Sequence, residues 1–242
     1  MNFFSSPRTI SLALGCFRFL KMFLGLVVLY LSIRYFGTSF ERDSWVLALA
    51  LYCVIVSCLY TPINEIFRTK FIFIKEQKGE NYAVKTVNSL MNVFNCSYVG
   101  IALLLWVAMD PITRMLAPGF DQEQTTFLSV MILSLIPYFV FQQQGNVLIA
   151  LLNTYDSYFY PEIVSLFASV INILSIIFLS EYLGIYSLVV ATELNGLILV
   201  SVLSYMLHKK VSRFRLFSLE TLSLAKPYVI FFKTPLFLQF FN

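Results

Sequence analysis

Residues 161–179 read PEIVSLFASVINILSIIFL, with one charge, Glu162, at the entry and none afterwards. A bilayer core takes about 20 predominantly apolar residues as one helical span. Pro161 suits the first turn of such a helix, where its missing N–H costs nothing. No strand-like alternation competes at this length. Working outward, the same pattern recurs at roughly 12–35, 45–67, 87–109, 127–152 and 185–207, so the chain is expected to cross a membrane six times. The first stretch contains Arg18 and Lys21 and lacks a small-residue cleavage site before its end, which reads as a retained span and not a signal peptide.

Composition supports this reading. Of 242 residues, 59% are hydrophobic and 12% charged, whereas an average soluble domain is about 25% charged. Too few charges remain to wet a soluble globule, and disordered, fibrous and disulfide-scaffold classes are excluded as well. The expected fold class is all-α, a polytopic membrane helical bundle.

The placement of charge orients the spans. With the N-terminus inside, Arg8, Arg18 and Lys21 share the inner side with Arg68, Lys70, Lys75, Lys78 and Lys85 and with the basic residues from Lys209 to Lys233. The outer side then keeps only Arg34, Arg42 and Arg114. The positive-inside rule therefore predicts N-in and C-in. Nucleic acid would need a basic groove on a soluble face, and none is available. Residues 1–210 are expected to form the six-helix lobe. Residues 211–242 follow as a cytoplasmic amphipathic segment (211–224, read as a helix along the inner leaflet) and an incomplete seventh span broken by Pro227, Lys233 and Pro235.

On the outer side, Asp110 is read as a cap ahead of Pro111. Ile112, Met115 and Leu116 would share one face of a short amphipathic helix that lies on the outer surface and stops at Pro118-Gly119.

Polar groups inside spans are costly and usually face protein or a watery cavity. Asn88, Asn92 and Asn95 recur at spacings of four and three, one helical face, with Lys85 a turn earlier. They either line a cavity able to hold sugar or phosphate oxygens, or bond to neighbouring helices. Glu65 and Arg68 lie three apart beyond Pro62 and can pair on one face. Glu193 sits deep in the sixth span, where a carboxylate must be protonated, paired or hydrated. Gln142, Gln143, Gln144 and Asn146 cover most sides of their helix, so part must face protein; Arg34 and Asp43 flank the first outer loop.

Cys16, Cys53, Cys58 and Cys96 fall in apolar stretches without a CxxC pair and are read as buried reduced thiols. His208 is the only histidine, and the glycines form neither GxGxxG nor a Walker loop, so no metal or nucleotide cofactor is expected. Nothing arranges a general acid with a base. The chain does not read as an enzyme.

Several short stretches resemble one family in order and spacing. Arg114-Met115-Leu116-Ala117-Pro118-Gly119-Phe120-Asp121 resembles the outer-loop motif of the MurJ/MviN lipid-linked-precursor flippases. Ile136-Pro137-Tyr138, Leu151-Leu152-Asn153-Thr154, Tyr158-Phe159, Pro161 and Tyr182-Leu183-Gly184-Ile185-Tyr186 follow in register. Earlier, Phe36-Gly37-Thr38-Ser39 with Asp43, and Asn88-Ser89 with Asn92, are similar to the family's first loop and third helix.

The resemblance implies one six-helix lobe of a two-lobe flippase. Such a protein moves a polyprenyl-linked oligosaccharide or peptidoglycan precursor across the inner membrane by alternating access, without ATP. It also implies a shared cavity faced by Asn88, Asn92, Arg34 and Glu193. The family's arginine-bearing stretch in the first helix is here Gly25-Leu26-Val27-Val28-Leu29, without charge, which favours an oligosaccharide carrier over lipid II. The second lobe is expected either to be missing, the chain being a truncated gene product, or to come from a second chain. The alternatives are a multidrug or small-solute exporter lobe and a truncated, non-transporting remnant. Partners expected on any of these readings include membrane lipids.

Overall fold

The computed structural model describes residues 7–211, 214–216 and 222–229. Among these residues there is no strand, and the helices follow one another with short breaks. Helix α1 (Pro7–Phe36) ends at Gly37, whose φ of 61° is one that side chains resist. Helix α2 (Phe40–Ile55) is capped by the Ser39 hydroxyl, which accepts the Arg42 amide at 3.3 Å.

One π turn (Val56–Tyr60) then joins α2 to α3 (Thr61–Lys78). Pro62 has no amide hydrogen to offer the preceding turn, and the hydrogen-bond register slips there so that the Thr61 amide reaches the Val56 carbonyl. The expected loop from Arg68 to Lys85 is therefore mostly helix, interrupted only at Gly79 with φ 83°. Buried Phe71 and Ile74 keep α3 helical beyond the apolar run.

Helix α4 (Glu80–Val107) bends at Ala108 into α5 (Met109–Leu116). Ala108 takes the cap position expected of Asp110, which lies inside the first turn. Met109 and Thr113 of this helix turn into the bundle, while Met115 is 87% exposed. The cap that the sequence reading missed is Asp121, which begins α6 (Gln122–Ser134) with a reciprocal capping box to Gln124 at 2.9 and 3.2 Å. Helix α7 (Ile136–Thr154) continues α6 after a break at Leu135, two residues before Pro137. The Tyr52 hydroxyl donates at 2.6 Å to the Ile132 carbonyl beside that break. Helices α8 (Phe159–Leu183) and α9 (Tyr186–Lys210) form the last hairpin, turning at Gly184 with φ 54°.

Six helical stretches are long and apolar enough to cross a bilayer: Ile10–Phe36, Phe40–Tyr60, Glu80–Val107, Gln122–Thr154, Phe159–Leu183 and Tyr186–Lys210. The second lies nearer the N-terminus than expected because its helix starts at the Ser39 cap.

Beyond Lys210 the structure departs from the expected amphipathic helix. Residues 214–216 are not helical, Leu222–Ala225 is a 3-10 turn, and α10 (Lys226–Val229) is short. Most of the expected incomplete span, residues 230–242, lies outside the described residues.

Three contacts organise the bundle. Tyr52, Tyr60, Tyr98 and Phe94 gather around Phe139 or each other with ring centroids 5.1 to 6.3 Å apart, locking α2, α4 and α7 together. Helix α7 meets α9 through glycines: a Cβ added at Gly196 would lie 2.8 Å from the Phe141 Cβ, and one at Gly145 would lie 3.0 Å from Leu199 Cδ2. Small residues allow such close approach where no hydrophobic force drives helices together. Helix α1 leans on α8, where Phe17 packs against Phe159 and Arg18 donates to Glu162 at 3.2 Å.

All four cysteines are free and exposed, which corrects their reading as buried thiols. They occupy the outward sides of their helices, where an apolar SH group suits hydrocarbon as well as a core.

The glycine seam sets a prediction. Gly196→Ala should cost about 1–3 kcal/mol through overpacking, lowering the thermal midpoint of the purified chain in detergent. Gly15→Ala, with nothing within 4 Å of the new methyl, should leave it unchanged.

Candidate functional site

The asparagine face of α4 is the most polar structure within the spans. The four-then-three spacing of Asn88, Asn92 and Asn95 places them on one side of the helix, and all three are buried or half-buried. The chain's own distal segment lies across them. The Arg215 amide donates to Asn88 Oδ1 at 3.0 Å, and Asn95 Nδ2 donates to the Leu216 carbonyl at 3.1 Å. On its other side Asn95 Oδ1 accepts Gln144 Nε2 of α7 at 3.1 Å. Asn95 thus links α4, α7 and the distal segment.

Apolar burial reinforces the seat. Phe214, Ala225 and Tyr228 are all buried, and the Tyr228 ring stacks on Phe67 at 5.5 Å. The hydroxyls of Tyr228 and Thr86 are 3.4 Å apart. Burial pushes the Tyr228 phenol up to about 12, so it stays a neutral hydrogen-bonding group. The two readings left open by spacing are thereby distinguished for Asn88 and Asn95: their amides bond to protein.

The other expected positions do not converge on this face. Arg34 is exposed in the last turn of α1, and Asp43 is paired at 3.9 Å with Arg42, not with Arg34. Asp43 also edges an open groove of about 500 Å³ with Val46, Leu47, Leu116, Ala117, Gly119 and Phe120. The Glu65 side chain, and with it the expected pairing with Arg68, lies outside the described residues. Arg68 donates to the Tyr158 hydroxyl at 3.1 Å. Asn146 and Glu193 are half-buried on α7 and α9. Asn88 and Asn92 lie on α4, Arg34 at the end of α1 and Glu193 on α9.

Within the glutamine run of α7, Gln143 and Gln144 are the members that turn inward. Gln143 is 1% exposed, and neither atom of its amide has a hydrogen-bond partner among the described residues; the Tyr98 hydroxyl is likewise unmatched. One feature went unread in the sequence. Asn172, alone in the most apolar helix, donates to the Ala191 carbonyl at 3.2 Å and ties α8 to α9. Among the described residues no group of three His, Cys, Asp or Glu side chains could hold a metal.

Six helical stretches long and apolar enough to cross a bilayer, two of them irregular beside prolines, define a polytopic membrane protein. The sequence matches the family described as "Lipid II flippase MurJ" over residues 32–233, and the chain belongs to that family, one of flippases and not of enzymes. A solved structure, "Lipid II flippase MurJ, inward closed conformation", is similar with a TM-score of 0.65 and 18% identity. The similarity covers 90% of this chain and 47% of that one, so the chain spans about half the length of the structure it matches. No curated protein matches the sequence.

Removing one acceptor from the seat should loosen the distal segment selectively. Asn88→Ala is expected to speed hydrogen exchange at the Arg215 amide by roughly fivefold, the equivalent of one net hydrogen bond of about 1 kcal/mol. Exchange in the α8–α9 hairpin should not change.

Proposed function

We propose that this chain forms one lobe of a flippase that translocates a polyprenyl-linked oligosaccharide across the bacterial inner membrane by alternating access. The observation that carries this reading is the family match over residues 32–233. The choice of an oligosaccharide over lipid II rests on the uncharged stretch from Gly25 to Leu29, with the α1 cation Arg18 engaged by Glu162. Without a cationic grip at mid-helix, recognition falls to amide and hydroxyl groups, which suit sugar oxygens.

On this reading residues 1–210 are the lobe and residues 211–242 begin the connection to a facing lobe, whether in further polypeptide or in a second chain. Rocking of two lobes about a shared cavity requires that partner. On this reading the start of α1 and the end of α9 lie on the cytoplasmic side, as the basic residues Arg68, Lys75, Lys78, Lys209 and Lys210 suggest by the positive-inside rule.

Depletion of the chain in its host is expected to reduce surface glycan and to accumulate its lipid-linked precursor on the inner leaflet. Sensitivity to dyes or drugs with surface glycan intact would assign it to small-solute export. Topology has its own check. In a chain cleared of its native cysteines, Gly119→Cys should react with an impermeant maleimide in intact cells, and Gln77→Cys only after permeabilisation.

A further inference from the structure

The turn between α7 and α8 collects cations whose partners are neutral. Tyr155, Asp156, Ser157 and Tyr158 form this turn, and Asp156 has a φ of 55°, a conformation that side chains rarely adopt. The turn is held by the amides of Tyr155 and Ser157, which reach the Leu152 carbonyl at 3.0 and 3.2 Å, and by the Tyr158 hydroxyl, which donates to Asp156 Oδ1 at 3.1 Å.

Three basic side chains from two other helices converge on it. Arg68 of α3 donates to the Tyr158 hydroxyl at 3.1 Å and lies over that ring, 5.7 Å from its centroid. Lys75, two turns further along α3, places its ammonium 4.3 Å from the Tyr155 ring centroid. Lys210, the last residue of α9, donates to the Ser157 hydroxyl. Each of the three touches a residue of the same four-residue turn.

The balance of charge around the turn is what singles it out. Two carboxylates lie close: Asp156 accepts from the Tyr158 hydroxyl, and Glu80 accepts from the Tyr155 hydroxyl at 2.7 Å. Each is engaged by a phenol and not by a cation. Among the described residues, the ion pairs within 4 Å are Arg18 with Glu162 and Arg42 with Asp43, and neither involves Arg68, Lys75 or Lys210. Aromatic faces hold the Arg68 and Lys75 head groups in place by cation–π attraction without cancelling their charge. Cations fixed in this way lose less freedom when a ligand arrives. The turn also joins the fourth and fifth spans, Gln122–Thr154 and Phe159–Leu183, and the ends of spans adjoin the headgroup region of a bilayer.

We infer that this turn is a seat for the phosphate of an anionic lipid headgroup, gripped by Arg68, Lys75 and Lys210. Arg68 can meet two phosphate oxygens with its planar fork, while the lysines act as point charges on either side. The seat requires only that the chain span a membrane. It does not depend on which glycan is carried or on transport itself, so its failure and that of the flippase reading are separable.

The experiment is native mass spectrometry of the full chain released from nanodiscs of phosphatidylglycerol and phosphatidylcholine. The wild type should retain phosphatidylglycerol in preference to phosphatidylcholine. The combined Arg68→Gln, Lys75→Gln, Lys210→Gln variant should retain at least tenfold less, with an unchanged thermal midpoint. Lys85→Gln and Lys226→Gln should match the wild type, and Arg68→Lys should keep more lipid than Arg68→Gln. Displacement of the lipid by millimolar inorganic pyrophosphate supports direct reading of its phosphate. Equal retention by wild type and triple variant, or an equal loss in the Lys85→Gln control, overturns the assignment. Pyrophosphate binding with no lipid retained overturns it in favour of a free diphosphate.

Discussion

Within a bilayer core no water stands ready to satisfy a polar group, so each amide placed there must find its partner in protein. The third span carries three asparagines on one face, and the surrounding structure follows from how they are matched. Asn95 is met from one side by Gln144 and from the other by the Leu216 carbonyl, while Asn88 receives the Arg215 amide. Helix α7 is thereby held against α4, and the segment beyond α9 is brought back across the inner half of the bundle. Tyr228 then finds its place on Phe67. The same constraint explains why the Tyr52 hydroxyl is spent on a backbone carbonyl beside the break before Pro137. A break in a membrane helix survives where a neighbouring side chain satisfies the carbonyls it disturbs.

The lobe is not uniformly tight. The α7–α9 seam, built on Gly145 and Gly196, admits no added methyl without movement, and the α8–α9 hairpin is tied further by Asn172. Helix α1, by contrast, touches mainly α8 and leaves Phe19, Leu26 and Tyr30 exposed. The two irregular spans, at the Val56–Tyr60 π turn and at Leu135, both lie beside the aromatic cluster around Phe139. Bulky rings fill the space that irregular backbone would otherwise leave as voids.

What the sequence made legible was whatever depends on length, hydropathy and local chemistry. Six spans could be read because a bilayer imposes a length that few other contexts share, and the family could be read because short motifs such as Arg114–Asp121 keep their spacing. The asparagine face was legible as a face, since 88, 92 and 95 differ by one helical turn each. Its partner was not legible, because Arg215 and Leu216 lie more than a hundred residues away and contribute only backbone atoms, which carry no sequence signal. The cysteines were misplaced for a related reason: an apolar stretch in a membrane has a lipid side as well as a core side, and composition does not distinguish them. Asp110 looked like a cap from the proline after it. The cap that forms is Asp121, whose reciprocal bond to Gln124 depends on the Pro118-Gly119 turn positioning it.

The central claim is that the asparagine face of the third span is a seat for the chain's own distal segment. Cysteines placed at Asn95 and Leu216, in a chain whose four native cysteines have been replaced, test it in native membranes. Mild oxidation should yield an intramolecular disulfide, seen as faster-migrating monomer on a non-reducing gel and reversed by reductant. An absence of that crosslink, with the cysteine at position 95 freely alkylated by a membrane-permeant maleimide, would contradict it.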